Sequence, residues 1–364
     1  MGSGSSGGSS SVKNQPAPKA GVITAGEWHD LANWGFWVDL MRTNKEYDAK
    51  REHWKLYPNT RYGCTVQDAT GTPYSDVLLT VRDRQNQVVW EGHTDLDGRA
   101  SIVPDLYTNL DNPTYAVTAT IRQRQVDLGA LRNDITFTVP ASAAVQLASS
   151  LRSNLVDIQL VVDATGSMGD EMAYLKNEFD DVLARVYQQV PDATIRLSSV
   201  FYRDHGDDYL TRELPFTEQS TTLMSFIAQQ SAGGGGDTPE AVEVALDKAI
   251  NNQSWSASAR TRLLFLVLDA PPHHTPEIIE KLRQLSQVAA SKGIRIVPIT
   301  ASGIDKETEF LMRMLAIGTQ GTYVFITNDS GIGNTHLIPS VGDYQVEYLN
   351  ELMLRLVVKY AKRT

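Results

Sequence analysis

The fold class of this chain can be inferred from the stretch Leu155-Val-Asp-Ile-Gln-Leu-Val-Val-Asp163-Ala-Thr165-Gly-Ser167. It begins with a nearly continuous apolar run, which predicts a strand buried on both faces, and it ends in polar, turn-forming residues. Further apolar runs follow at Ile195–Tyr202, Leu263–Leu268, Ile294–Ile299 and Thr322–Ile326. Amphipathic helical patterns separate these runs. The alternation predicts an α/β fold over residues 155–364, a doubly wound, mostly parallel sheet flanked by helices.

The chain before residue 155 has a different organisation. Residues 59–140 show apolar and polar residues in strict alternation, which predicts a small antiparallel β-sandwich of about seven strands. Residues 21–58 hold four of the six tryptophans, and Trp34 and Trp37 are at helical spacing. We therefore expect a Trp-rich helical docking segment there, with a carbohydrate-stacking surface as the alternative. Residues 1–20 and 141–154 are predicted to be linkers.

Composition narrows the classes of function. The 364 residues carry a formal net charge of −10 and no basic run, which argues against nucleic acid as a partner. No stretch of about 18 consecutive apolar residues occurs, so no transmembrane helix is expected. Cys64 is the only cysteine, which excludes an intramolecular disulfide, and we expect it to be buried in a strand.

The first eleven residues are almost entirely glycine and serine. Such a segment buries too little apolar surface to order itself and is expected to be a flexible tether. Tethers of this composition often follow the lipid-bearing cysteine of a bacterial lipoprotein. A location in the cell envelope, with membrane contact only through such an N-terminal lipid anchor, is therefore expected. An expression tag and a cytoplasmic location remain the alternatives.

Three separate segments supply oxygen-bearing side chains to one edge of the predicted sheet. Asp163, Thr165 and Ser167 follow the first strand, and Asp269 follows the strand Leu263–Leu268. Thr238 follows a run of four glycines. Ligands of open α/β sheets bind outside the carboxyl ends of the strands, and hard divalent cations prefer oxygen ligands. The sequence therefore predicts a site for Mg²⁺ (or Ca²⁺ or Mn²⁺) with few protein charges and room for a further ligand.

These motifs resemble the metal-ion-dependent adhesion site of von Willebrand factor A (vWA) domains, most closely those of bacterial type. Asp163-Ala-Thr165-Gly-Ser167 matches the Asp-x-Ser/Thr-x-Ser signature, with threonine where serine is usual, and Thr238 and Asp269 match the later threonine and aspartate. The resemblance implies direct oxygen ligands from the three hydroxyls, and from the aspartates directly or through water. It also implies adhesion or complex assembly, in which an acidic side chain of a protein partner completes the shell.

Other polar residues lie close to the same motifs. Asp204, Asp237, Glu240 and His273 are expected at the rim or as hydrogen-bond partners of the ligands. A simpler role for Asp163, Thr165 and Thr238 would be to cap the helices that follow them.

Three classes of function compete. The resemblance favours a non-enzymatic protein that binds its partner through the cation. A metal-independent scaffold of the cell envelope is the second hypothesis, because residues 59–140 resemble the carboxypeptidase regulatory-like (transthyretin-like) sandwich, a module that braces other domains. The third is a Mg²⁺-dependent phosphotransferase of the haloacid-dehalogenase type, with Asp163 as nucleophile. That chemistry needs a late pair of acids, which Thr327-Asn328-Asp329 does not provide.

Overall fold

The computed structural model describes residues 19–109, 114–121, 124–139, 153–236 and 238–362. Its largest feature is one eight-stranded sheet. In spatial order the strands are β11 (Thr211–Thr217), β10 (Thr194–Tyr202), β9 (Leu155–Asp163), β12 (Thr261–Leu268), β13 (Ile294–Thr300), β14 (Tyr323–Ile326), β1 (Thr24–Trp28) and β15 (Val346–Tyr348). The five strands from β10 to β14 are mutually parallel, and β11, β1 and β15 pair antiparallel. The predicted α/β class with a mostly parallel sheet is confirmed.

The strand order contains a point at which the winding reverses. From β9 the chain first adds β10 on one side, and it later adds β12 on the other side. The crossovers on the two sides therefore leave a crevice at the carboxyl ends of β9 and β12, where ligands of such sheets bind. Asp163 is the last residue of β9, and Asp269 directly follows β12.

Helices cover both faces of the sheet. On one face α3 (Gly169–Gln189) packs with the last helix, α8 (Leu349–Ala361), and with α4 (Ser220–Ala228). On the other face lie α5 (Val242–Asn251), α6 (Pro276–Ser291) and α7 (Lys306–Gly318). Side chains of β9 alternate between these two cores, with Leu160 and Val162 in the first and Val161 in the second. This burial on both faces is the reason for the continuous apolar run.

Three strands of the sheet, β11, β1 and β15, were not predicted from the sequence. The prediction of residues 21–58 as a purely helical segment is wrong, because β1 pairs with β14 on one side and β15 on the other. The other strand beside β1 is β15, which directly precedes the last helix, α8. Gly26 allows the close approach of β1, since a Cβ there would lie 2.6 Å from the Phe325 ring. Backbone pairing, rather than an apolar pattern, holds these short strands.

The rest of the Trp-rich segment does form helices, α1 (Trp34–Thr43) and α2 (Lys45–Trp54). They pack on α7, where Trp37 and Tyr47 contact the ring of Phe310 with centroids 6.0 and 5.6 Å apart. Trp28, Trp37 and Trp54 are all buried. The carbohydrate-stacking alternative is therefore wrong for these three rings, which are part of the core.

A buried ion pair fixes the same segment to the sheet. The guanidinium of Arg313 in α7 is fully buried and donates two hydrogen bonds to Asp30, of 2.5 and 2.9 Å. Tyr47 accepts a third bond at 3.0 Å, and Glu309 lies 3.5 Å away. These partners compensate the charge of an arginine that has no access to water.

Residues 62–138 form two small sheets around one apolar core. The first has the order β5 (Arg99–Ile102), β2 (Tyr62–Gln67), β8 (Ile135–Thr138), and the second β4 (Val88–His93), β3 (Leu78–Arg82), β6 (Ala116–Ile121), β7 (Arg124–Ala130). All pairs are antiparallel except β2 with β8, a departure from the expected all-antiparallel arrangement. Cys64 is buried in this core, and burial raises the pKa of its thiol to about 12.

The small sheets attach to the amino ends of the parallel strands, opposite the crevice. Asp76 accepts two hydrogen bonds from Arg262 of β12, at 2.9 and 3.2 Å, and His93 bonds both Asp76 and the carbonyl oxygen of Ser291. Gln320 accepts a bond from the backbone of Ser101 at 2.9 Å. Most of both predicted linkers lies outside the described residues. No helix of the described ranges is long and apolar enough to cross a bilayer.

Candidate metal centre

The loop after β9 is built around the carboxylate of Asp163. This residue is fully buried, and its Oδ1 accepts hydrogen bonds from the Thr165 amide at 2.8 Å and the Thr165 hydroxyl at 2.7 Å. The hydroxyl of Ser167 lies 3.3 Å from that of Thr165. The second carboxylate oxygen, Oδ2, is buried without a hydrogen-bond partner. Three oxygen-bearing side chains of the first motif therefore lie together at the end of the strand.

Asp269 and Glu240 approach this loop from two other segments. Both residues are buried, and Asp269 Oδ1 and Glu240 Oε2 lack hydrogen-bond partners. The neighbouring Ser167 side chain opposes the rise in the pKa of Asp269. The backbone of Glu240 donates to the carbonyl oxygen of Pro271 at 2.9 Å, which ties the two segments together. The crevice therefore brings together two of the predicted ligand segments and one predicted rim residue.

The electrostatics of this group favour a cation. Burial, and next the charge of Asp269, raise the pKa of Asp163 to about 7. Burial, and next Asp163, raise the pKa of Glu240 to about 8, and burial raises that of Asp269 to about 6. Buried carboxylates with orphaned oxygens are costly unless protons or a cation neutralise them. A divalent ion among them would supply that neutralisation.

The glycine run is folded back onto the first motif. Gly233 donates to the carbonyl oxygen of Ala164 at 3.0 Å, and Gly166 donates to that of Gly234 at 3.1 Å. Gly234 has φ +75°, and a Cβ there would lie 2.4 Å from Asp207. The glycines therefore allow the backbone of this run to approach the first motif and Asp207 closely.

Two residues of the loop after β10 hold the glycine run in place. Arg203 donates to the carbonyl oxygens of Ala164 at 3.1 Å and Ser231 at 2.9 Å, and Asp207 accepts from the Gly235 amide at 2.9 Å. The sequence indicated that this loop supplies supporting hydrogen bonds, but it did not distinguish these two residues from the other polar residues of the loop.

Thr238 is placed less closely than the other predicted ligands. It is exposed, two residues before the buried Glu240, and Asp237 lies outside the described residues. The capping alternative is wrong for both threonines. Thr165 precedes the 3₁₀ turn Gly166–Met168 without a side-chain cap bond. The helix after Thr238 begins only at Val242, with Ala241 at its N-cap position and no side-chain cap bond.

The predicted rim residues Asp204 and His273 form a pair beside the crevice. His273 Nε2 lies 2.8 Å from Asp204 Oδ1, and the two residues join the loops after β10 and β12. His205 extends this pair, with its ring 5.8 Å from that of His273. The pair fixes the relative position of two loops that carry the site.

Sequence reasoning missed two buried side chains next to the ligands. Glu171, in the first turn of α3, accepts a short bond from Ser302, and its Oε2 has no partner. The Tyr202 hydroxyl is buried, and its pKa is raised well above 10 by burial and then by Asp163 and Asp269. The only available signal for Glu171 was its position four residues after Ser167.

The donor set fits a hard cation better than a soft one. The oxygens are carboxylates and hydroxyls, which suit Mg²⁺, Ca²⁺ or Mn²⁺. Within the described ranges, no three side chains of the His, Cys, Asp and Glu types converge in a way that would hold a metal by themselves. Any such ion would therefore depend on the hydroxyls of Thr165 and Ser167 in addition to Asp163 and Asp269.

Comparison with known families agrees with the fold of the large sheet. Residues 157–336, just under half of the chain, match the von Willebrand factor type A domain family. The chain therefore contains a vWA domain, and its first and last matched segments include β9 and the loop after β14.

Two curated relatives match parts of the chain. A putative ariadne-like RING finger protein of Acanthamoeba polyphaga mimivirus is 26% identical over 198 residues, which is 50% of this chain and 19% of that protein. An alpha-protein kinase, vwkA, of Dictyostelium discoideum is 27% identical over 124 residues, which is 34% of this chain and 20% of the kinase. The aligned region spans about a fifth of each relative. Among solved structures, the conserved hypothetical protein BatB from Bacteroides thetaiotaomicron aligns with a TM-score of 0.39 at 14% identity, over 57% of this chain and all of BatB.

Proposed function

We propose that this protein is a non-enzymatic, divalent-cation-dependent protein-binding module. The vWA domain supports a role in protein interaction or adhesion, and the proposal adds that a cation in the crevice makes the contact. One observation carries it: Asp163 and Asp269, both buried, each keep a carboxylate oxygen without a partner at the switch point of the sheet. Such oxygens are explained by a bound cation.

The residues proposed to hold the ion are Asp163, Thr165, Ser167, Thr238 and Asp269. Asp163 and Asp269 would supply at most two negative charges, so a bound Mg²⁺ keeps affinity for a further anionic ligand. When bound, the ion supplies a coordination position for an acidic side chain of the partner. Glu240 and Glu171 are proposed to hold hydrogen bonds around the shell, and the pair Asp204–His273 to position the rim.

Metal binding is the first test. Titration calorimetry of the full chain with MgCl₂ or MnCl₂ should show one site in the wild type and at least about a tenfold loss of affinity in Asp163→Ala. Asp208→Ala is the matched control, because this side chain is 95% exposed and belongs to the neighbouring loop. Unchanged Mg²⁺ affinity in Asp163→Ala, in protein that circular dichroism shows to be folded, would refute the assignment of the site.

Partner capture is the second test and separates the alternatives. Immobilised protein is exposed to cell-envelope extract with Mg²⁺ or with chelator, and the retained proteins are identified by mass spectrometry. Partners that require Mg²⁺ and are lost in Asp163→Ala support the proposal. Partners retained in chelator favour the metal-independent scaffold. A Mg²⁺-dependent release of phosphate from p-nitrophenyl phosphate, abolished in Asp163→Asn, would instead favour the phosphotransferase.

A further inference from the structure

A groove runs between the small sheets and the amino ends of β12 and β13, on the opposite side of the molecule from the metal centre. It consists of two adjoining cavities of about 530 and 620 Å³. Both are lined by a shared set of side chains: Asp95, Arg99, Arg295, Lys359 and Tyr360. Cavities of this size are typical of sites for small organic ligands. The feature is called the basal groove below.

The basal groove is basic on a protein that is acidic as a whole. Six basic side chains line it, against a net charge of −10 for the chain: Arg61, Arg99, Arg260, Arg295, Lys359 and Lys362. Four acidic side chains also line it: Asp76, Asp95, Asp97 and Asp134. Asp76 is already paired with Arg262, and Asp95 accepts backbone bonds from Asp97 and Arg99. Among the basic side chains, Arg260 pairs with Asp192, Lys359 with Glu27 and Arg99 with Asp97. The ion pairs of the described residues therefore leave three cations, Arg61, Arg295 and Lys362, of which only Arg295 is buried.

Arg295 is the buried cation of the groove that these ion pairs leave without a carboxylate. It is 9% exposed, it donates one hydrogen bond to the carbonyl oxygen of Gln320 at 2.8 Å, and its guanidinium lies 5.4 Å from the centre of the Tyr360 ring. Within the described part of the chain, none of the ion pairs includes it. A buried guanidinium without a counter-ion is strongly unfavourable, whereas buried arginines are usually matched to a carboxylate or phosphate.

Tyr360 provides a second unmatched donor at the same place. The residue is 9% exposed, and its hydroxyl is buried without a hydrogen-bond partner. A buried tyrosine hydroxyl normally finds a partner, and a group bound in the groove beside Tyr360 would supply one. Lys359, the residue before it, also lines both cavities and pairs with Glu27 at 3.6 Å.

We propose that the basal groove binds the phosphate group of a small organic molecule. Arg295 and Tyr360 donate to its oxygens, and Arg61 and Lys362 compensate its remaining charge. Several cations from different elements suit a phosphate dianion better than a single carboxylate. The organic part of the ligand lies against the apolar walls of the first cavity, which include Leu31 and Ile135. This site is independent of the metal centre and of the proposed function.

Calorimetric titration tests the proposal with defined probes. The full chain is titrated in chelator, so that no cation in the crevice binds phosphate, with inorganic phosphate, adenosine monophosphate and adenosine. Binding of adenosine monophosphate but not adenosine supports the proposal, and equal binding of inorganic phosphate assigns the affinity to the phosphate group alone. Equal affinity for adenosine and its monophosphate, or no binding of either phosphate probe, overturns it.

Two variants and one control assign the binding to the groove. Tyr360→Phe should weaken phosphate binding about tenfold, because it removes one hydrogen bond to a charged group and leaves the packing intact. Arg295→Gln should abolish it. Because Arg295 also holds Gln320, thermal unfolding of both variants is measured alongside. Arg42→Gln, an exposed arginine on α1 outside the groove, should leave affinity unchanged. Unaltered affinity in both groove variants would overturn the assignment.

Discussion

Replacing Asp30 by alanine should destabilise the protein by about 4 kcal/mol. The substitution leaves Arg313, which is fully buried, without the carboxylate that accepts two of its hydrogen bonds. Breaking a buried pair on one side costs about 3–5 kcal/mol, and Glu309, 3.5 Å from the guanidinium, keeps this loss near the lower end. Asp30 also accepts a bond from the indole of Trp28 at 3.1 Å, whose loss adds about 1 kcal/mol.

Urea unfolding followed by tryptophan fluorescence and circular dichroism measures this cost. Coincident transitions from the two probes are needed, because the small sheets and the large sheet could unfold separately. Asp39→Ala is the matched control: its ion pair with Arg42 is exposed on α1, so the change should stay within about 0.5 kcal/mol.

A double variant tests whether the unpaired charge of Arg313 causes the loss of stability. Asp30→Leu with Arg313→Met removes both partners, so it should cost clearly less than the sum of the two single substitutions. A cost below about 1 kcal/mol for Asp30→Ala, or simple additivity in the double variant, would refute the reasoning.

Three further predictions concern other parts of the molecule. Burial lowers the pKa of His29 to about 4 from an ordinary value of 6.5. As the pH falls, His29 therefore binds a proton at a higher pH in the unfolded chain than in the folded one, and stability should decrease between about pH 6.5 and pH 4. His29→Asn should flatten this part of the pH profile, measured by thermal unfolding, and an unchanged profile would exclude His29 as the cause. Gly234→Ala should weaken Mg²⁺ binding, measured by calorimetry, because a φ of +75° is strained for alanine and the added Cβ would meet Asp207. Gly236→Ala is the control and should leave the affinity unchanged, because Gly236 has open space around it. Equal effects of the two substitutions would argue against the backbone explanation. Asp76→Ala should lower the free energy of unfolding by about 3 kcal/mol, because it leaves the buried Arg262 of β12 without its carboxylate partner. It should also speed proteolysis between the small sheets and the vWA domain, and cleavage at the wild-type rate would contradict this.

Much of the candidate site was predictable because its residues follow strands with strong local signals. Asp163 and Asp269 each come directly after an apolar run, and the carboxyl ends of parallel strands share one edge. The order of the segments therefore sufficed to bring them together. Thr238 had no such anchor, since it follows a glycine loop, and its part in binding an ion remains a prediction.

Glu171 and Tyr202 could not be predicted in the same way. Glu171 is an acidic residue in a helical first turn, where acids are common for reasons unrelated to ligands. Only the packing of α3 against the loop that carries Ser302 buries it beside Asp269. Tyr202 ends a strand as an ordinary aromatic residue, and its burial against Asp163 is a property of the assembled sheet.

Local apolar patterns and strand direction were enough to predict the α/β class, the parallel core strands and the edge at which the acidic and hydroxyl side chains gather. The folded chain is needed to see that β1 and β15 extend the sheet, that Asp30 meets Arg313 across 283 positions and that Arg295 is buried without an ion-pair partner among the described residues. Pairings between distant segments depend on backbone hydrogen bonds and on burial in the folded chain, and neither leaves a periodic signal in the residues that make them.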